Sequence, residues 1–268
     1  MENLRKKGLS ANTLRWIAMV GMLLDHLWGT IVSGNLWMTC LGRMVFPIYA
    51  FQLTEGFVRT HDRKRYALRL LVFALISEIP FNLMMAGSWF FPFHQNTIFT
   101  LLLGFWVLQT LEALQGKSCK LWKGILYLLA AALLTVVGFP DYGWQGVLTV
   151  VLFYLFREGR FAKLGQLVGM TLLHVVLAEG QTLPWLFDLP LQSVALLALV
   201  PIWLYVGRKG WGGKLMQYGA YLYYPLHLLL LVILRRLLKN RKKMPPPVGG
   251  GIADLWIRRG TSFSERWR

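Results

Sequence analysis

The sequence predicts an all-α fold: a polytopic bundle of transmembrane helices, about nine spans (8 to 10), some short or kinked, around a polar cavity. Three observations predict it. Hydrophobic residues make up 56% of the chain and charged residues only 15%, too little charge to cover a soluble domain of this length. Apolar runs recur through nearly the whole chain, at about 14–34, 43–58, 66–86, 96–113, 122–137, 143–156, 164–179, 187–206 and 215–236. The connections between these runs alternate in charge.

The first run follows Arg5, Lys6 and Lys7, but Asp25 and His26 interrupt it and no small-residue cleavage site follows. It therefore reads as a retained span and not as a signal peptide. Basic residues then recur at every second connection: Arg59, Arg63, Lys64, Arg65 and Arg69; Lys117, Lys120 and Lys123; Arg157, Arg160 and Lys163; Arg208, Lys209 and Lys214. The connections near 35–42, 87–95, 138–142 and 180–186 carry neither Lys nor Arg. The alternation predicts a cytoplasmic N-terminus. It fails at the end, where Arg235, Arg236, Lys239, Arg241, Lys242 and Lys243 close a ninth span that should emerge outside. Residues 1–243 read as one membrane domain. Residues 244–268, led by Pro245–Pro247 and three glycines, read as a basic flexible tail.

The net charge of +17 invites a nucleic-acid reading. Its placement in short connections instead suits anionic lipid headgroups, so membrane lipid is the expected partner and nucleic acid is not. Cys40 and Cys119 fall in loops assigned to opposite sides, which excludes a framework of disulfides. No HExxH, Walker loop or GxGxxG is present, so neither a metal nor nucleotide-driven chemistry is expected.

Ionisable residues at membrane depth are the candidate site, because burying them is costly unless function or a partner holds them. Asp25 and His26 are neighbours in a helix and point about 100° apart, so each needs a partner elsewhere. His26 would face the cavity as acid, base or nucleophile with Asp25 bracing the site; alternatively both make only interhelical hydrogen bonds. Arg43 either snorkels to the interface or offers its guanidinium to a carboxylate or acyl oxygen. Glu55 lies four residues before Arg59, so an ion pair competes with a catalytic role. Pro80 kinks the third run, where Glu78 and Asn82 share a face that reads as a cavity wall or as a structural kink. Asn96 opens the next run as a cap. His94 lies in an aromatic-rich connection and reads as interfacial. Asp141, before Tyr142, either caps a helix or forms with Glu78 an outward-facing polar mouth. His227, two residues after Pro225 and beside Tyr224, is a second candidate acid or base, or a coenzyme contact.

Several segments, Leu14 to His26, Leu41 to Ile48, Glu55-Gly56-Phe57, Arg69 to Asn82, Asn96 to Leu101, Asp141-Tyr142-Gly143 and Tyr224 to His227, together resemble the TraX family over about residues 12–235. The resemblance implies a multi-spanning protein of the bacterial cytoplasmic membrane and an acetyl-CoA-dependent acetyltransferase, since the family's namesake acetylates the amino terminus of conjugative pilin. It implies catalytic roles for His26, Asp25, Glu78, Arg43 and His227. The coenzyme's phosphates would lie near Arg59, Arg63, Lys64, Arg65 and Arg69, with Tyr224 a further contact and His26 at the thioester. Glu55, Asn82, Asn96, Asp141 and Tyr142 would line the acceptor's cavity. The acceptor stays open between a peptide amino terminus, a sugar, a lipid headgroup and a small amine. A transporter or flippase, or a non-catalytic assembly protein, are the other readings of the same polar residues.

Overall fold

A computed structural model describes residues 8–116 and 118–242. Arg5, Lys6, Lys7, Lys117, Lys243 and the tail 244–268 lie outside the described residues. The helices are α1 (Ala11–Thr30), α2 (Leu36–Arg43), α3 (Val45–Arg59), α4 (Arg63–Met85), α5 (Thr97–Gln115), α6 (Leu121–Val137), α7 (Gly143–Leu155) and α8 (Ala162–Thr171). After α8 come a π-helical turn at Leu172–Val176 and a short antiparallel pair, β1 (Thr182–Leu183) with β2 (Leu189–Pro190). A 3₁₀ run at Leu191–Ala198, α9 (Leu199–Trp203) and α10 (Gly213–Lys242) complete the chain.

The expectation of about nine spans (8 to 10) is overturned. Among the described residues three helices are long and apolar enough to cross a membrane: Arg63–Met85, Thr97–Gln115 and Tyr218–Leu238. The other apolar runs are helical but shorter, at Leu121–Val137, Gly143–Leu155, Ala162–Val176 and Leu191–Trp203. At 1.5 Å per residue a helix such as α7 rises about 20 Å, against a hydrocarbon core of roughly 30 Å. Helix α1 has 20 residues, but Asn12, Arg15, Asp25 and His26 dilute its apolar content. The chain is an all-α, multi-span membrane protein, and a nine-span topology with its termini assigned by parity does not describe it.

Local chemistry explains where the helices begin. Ser10 caps α1 by accepting the Thr13 amide at 3.2 Å, Asp62 caps α4 through the Arg65 amide at 2.9 Å, and Asn96 caps α5 through the Ile98 amide at 3.0 Å. Asp141 is not the cap of α7. That position belongs to Tyr142, in left-handed conformation with φ 63° and without a side-chain cap bond.

Helix α3 runs through the middle of the bundle. Its Phe46, Ile48 and Phe57 are buried with Leu14 and Ala18 of α1, Phe105 and Leu108 of α5, Val150 and Phe153 of α7, and Leu228 of α10. The outer faces are apolar: Leu68, Val72 and Leu75 of α4, Leu129 and Leu133 of α6, and Leu226 and Leu230 of α10 are exposed, the surface that lipid covers.

Two ends of the bundle are tied differently. At one end the start of α1 pairs with the segment before α10, the Ala11 amide donating to the Arg208 carbonyl at 2.9 Å and Leu9 bridging Tyr205. At the other, the connections after α4 and α6 meet at the N-termini of α5 and α7, with Phe46 of α3 against Tyr142. There Gln95 bridges Pro140, and the Asp141 amide donates to the Gln95 carbonyl at 2.9 Å. The candidate site lies at this second end.

Candidate functional site

His26 of α1 and His227 of α10 meet. His26 Nδ1 lies 2.8 Å from His227 Nε2, with the rings within 9° of parallel. His227 Nδ1 lies 2.7 Å from the Tyr223 carbonyl, which can only accept. The donor hydrogens are therefore ordered: His227 Nδ1–H donates to the carbonyl, His26 Nδ1–H donates to His227 Nε2, and His26 Nε2 keeps a lone pair. Tyr223 stacks on His227 and anchors α10 to α1 by donating its hydroxyl to the Met19 carbonyl at 2.8 Å.

Asp25, one residue before His26, turns away to Arg43. Arg43 Nη2 donates to both carboxylate oxygens, at 2.9 and 2.8 Å. Asp25 is buried and the Arg43 side chain is 19% exposed. Gly42 makes the approach possible: a Cβ there would lie closer than 3.0 Å to the Cβ, Cγ and Oδ1 of Asp25.

A second polar cluster surrounds the start of α5. Asn96 is fully buried; its Nδ2 donates to Glu78 Oε2 at 2.6 Å and to the Ala74 carbonyl at 2.8 Å, and its backbone amide also reaches Glu78. Pro80 lies inside α4, two residues beyond Glu78. Asp141 accepts the Thr97 hydroxyl at 2.7 Å and lies 3.4 Å from His94 Nε2, while the Thr100 hydroxyl donates to the Asp141 carbonyl. Burial by itself would raise the Asp141 carboxyl, but the bond to His94, its charge and the Thr97 hydroxyl together hold it below the ordinary carboxylate range. His94 was expected at the interface. It is buried instead, because Phe81 packs against its ring edge-on and Asp141 receives its nitrogen.

Part of each cluster borders one cavity of about 1640 Å³, lined by His26, Asp25 and Arg43 together with Asp141, Tyr142 and Tyr224 but not by Glu78 or Asn96. Tyr142 stacks on Phe46 with ring centroids 4.2 Å apart. Along α10 the cavity extends from Ala220 and Tyr221 to Arg235 and Arg236, about 24 Å of helix. Most of its remaining wall is apolar, including Met22, Leu70, Leu101 and Val232.

The basic residues assigned to the coenzyme lie elsewhere. Arg59 pairs with Glu55 at 2.7 Å and donates to the Gly207 carbonyl; Arg63 pairs with Glu112 and stacks over Phe57; Arg65 pairs with Asp62 at 2.9 Å. Lys64 borders a separate small depression with His61 and Gln109. None of these lines the His26 cavity, and neither does Glu55, Asn82 or Asn96. Arg69 does not line it either, but it adjoins a residue that does. It sits over the Tyr66 ring beside Tyr221, and its Nε is buried without a hydrogen-bond partner among the described residues. Leu70 and Tyr221 form the adjoining floor of the cavity.

Sequence reasoning passed over two cavity residues. His174 is buried in the π-helical turn, between the Thr149 hydroxyl at 3.0 Å from Nε2 and Gln192 Nε2 at 3.3 Å from Nδ1. A lone histidine in an apolar run gave no signal of its own. Trp28 Nε1 is a buried donor without a partner among the described residues; its spacing from Asp25 at i+3 could have found it.

The chain matches the family model described as TraX protein over residues 10–235. It is 30% identical over 247 residues to a protein of Dichelobacter nodosus described as "Probable fimbrial assembly protein FimC, serogroup H1", covering 84% of this chain and 95% of that one. No solved structure matches. With a family match that takes in both histidines, the Asp25–Arg43 pair and the polar cluster at α5, the chain belongs to the TraX family.

Proposed function

We propose that the protein is a membrane-bound acetyltransferase of the bacterial cytoplasmic membrane that moves an acetyl group from acetyl-CoA to an amine or hydroxyl acceptor. The observation that carries the reading is the ordered chain from the Tyr223 carbonyl through His227 to His26 at the wall of a deep cavity. Family membership supports the reaction class, and the fimbrial assembly role in the name of the D. nodosus relative is compatible with a peptide acceptor.

The coenzyme would supply an activated thioester. The residue available for it is Arg69, which does not line the cavity but sits beside Tyr221, which does, and whose buried Nε has no partner among the described residues and could turn to an anionic oxygen. Arg59, Arg63 and Arg65 are already engaged with carboxylates. The end of the bundle that holds Arg59 to Arg69 also holds Arg208, and this positive charge supports a coenzyme that approaches from that end.

His26 Nε2 takes the proton of the acceptor's amine or hydroxyl as that atom forms its bond to the acetyl carbon. The carbon–sulfur bond breaks, and His26 returns the proton to the departing sulfur. His227 holds the reactive tautomer and shares the charge that His26 acquires in between. Arg43, oriented by Asp25 on the same wall, provides the positive field for the oxygen that becomes negative in the transition state.

The test is acetyl-CoA binding and CoA release by the detergent-purified protein, wild type against His26→Ala, with a panel of amine and hydroxyl acceptors. Release that rises with one acceptor and falls about 10²- to 10⁴-fold in the variant is expected. A folded protein that neither binds nor turns over acetyl-CoA would sink the proposal.

A further inference from the structure

The last helix carries a charge where its pattern calls for an apolar residue. Tyr224, Leu228, Leu231 and Val232 form the buried stripe of α10, spaced by three and four residues as a core-facing stripe is. The next position of that stripe is Arg235. Arg235 and Arg236 line the same cavity as His26, where the wall is otherwise made by Met84 to Ser88 at the end of α4 and by aromatic residues such as Phe91 and Phe93. Among the described residues the hydrogen bond of Arg235 is a long 3.5 Å approach of Nη1 to the Met84 carbonyl. Among the described residues neither arginine has a carboxylate partner.

The other charges on the cavity wall do not answer them. Asp25 is taken by Arg43, Asp141 by Thr97 and His94, and Glu179 lies beyond the π-helical turn. An arginine at the end of a membrane helix ordinarily extends outward to bulk headgroups. This pair instead lies at the open mouth of the cavity, Arg235 half-buried and Arg236 exposed, and two adjacent guanidiniums without a carboxylate repel one another until an anion neutralises them. Arginine's planar fork fits phosphate oxygens in pairs.

We infer that Arg235 and Arg236 form a subsite at the mouth of the cavity for the phosphate of the acceptor, a phosphate-bearing amphiphile whose apolar part lies along the Met84, Phe91 and Phe93 wall. The inference rests on the proposed transferase reading for the word acceptor. The arginines lie eight and nine residues beyond His227, about 12–14 Å along the helix. The acceptor's phosphate and its acetylated atom are therefore separated by about that length, which a small amine cannot span. The shared chemistry is a phosphate monoester or diester, carried by a lipid headgroup or by a free phosphorylated molecule.

The experiment measures retention of phosphatidylglycerol against phosphatidylcholine by native mass spectrometry of the detergent-purified protein. It compares wild type with Arg235→Gln/Arg236→Gln and Arg235→Lys/Arg236→Lys, and adds glycerol phosphate as soluble competitor. A preference of about tenfold for the anionic lipid, lost in the glutamine variant and largely kept in the lysine variant, is expected. If glycerol phosphate displaces the lipid completely at equal concentration, the subsite stands and its ligand is a free phosphorylated molecule. Equal lipid retention by wild type and the glutamine variant overturns the subsite. Acetyl-CoA affinity is measured in parallel: a loss of it in the glutamine variant with lipid retention unchanged also overturns the inference, by making the mouth a donor site. Failure of wild type to bind acetyl-CoA would overturn the transferase reading while leaving the lipid result to judge the subsite. Equal elution volumes on size exclusion establish that each variant is folded.

Discussion

Gly42→Ala is the sharpest test of how α1 and α2 are held together. The added methyl would lie closer than 3.0 Å to three atoms of Asp25, and because it is fixed to the backbone it cannot rotate away. Either α2 moves off α1, an overpacking strain of about 1–3 kcal/mol, or the Asp25 carboxylate swings out and abandons Arg43. Breaking a fully buried ion pair costs about 3–5 kcal/mol. The side chains here keep 12% and 19% of their exposure, which places this pair toward the lower end. The expected loss is thus about 2–4 kcal/mol. Denaturant unfolding in detergent, followed by the fluorescence of the 12 tryptophans, reads it directly. Gly219→Ala is the control: it lies inside α10, its added Cβ would meet nothing within 4 Å, and alanine there gains about 0.5–1 kcal/mol in helix propensity. If Gly42→Ala unfolds at the wild-type denaturant concentration while the control behaves as stated, the close approach of Asp25 to α2 is not what holds these helices.

Three further outcomes are expected. His227→Phe removes the acceptor that fixes the His26 tautomer and lowers acetyl transfer about 10²-fold with little change in acetyl-CoA affinity; an unchanged turnover number would show that His26 acts alone. Asp141→Ala strips the Thr97 and His94 side chains of their shared acceptor and destabilises the protein by about 1–3 kcal/mol, measured by the same unfolding assay, with equal stability contradicting the brace. Arg69→Gln weakens acetyl-CoA binding severalfold in a binding titration, whereas Arg63→Gln, whose wild-type side chain is engaged by Glu112, leaves it unchanged; the reverse order would return the coenzyme to the small depression beside Lys64.

The residue types at the site were legible because their cost is local. Asp25 and His26 stand out in an apolar run, and Pro80 beside Glu78 announces a kink, whatever surrounds them. Their partners were not legible, since Arg43 is 18 residues from Asp25 and His227 is 201 from His26, and helical periodicity links only neighbours three or four apart. The basic cluster misled for the opposite reason: counting Arg59, Arg63 and Arg65 as free cations ignores Glu55, Glu112 and Asp62, which claim them. The span count failed because an apolar run of 13 to 17 residues reads like a membrane crossing in composition but lacks its length.

The separation between the two histidines also sets an order of assembly. Asp25 can find Arg43 while the first two helices are still the only ones made, whereas His26 must wait for the last. At about 5–20 residues per second on the ribosome, the 201 residues between them take roughly 10–40 s to synthesise. Throughout that interval Asp25 has its arginine while His26 has no partner. A chain that ends before α10 therefore lacks the partner of His26, and synthesis of α10 is the event that completes the pair.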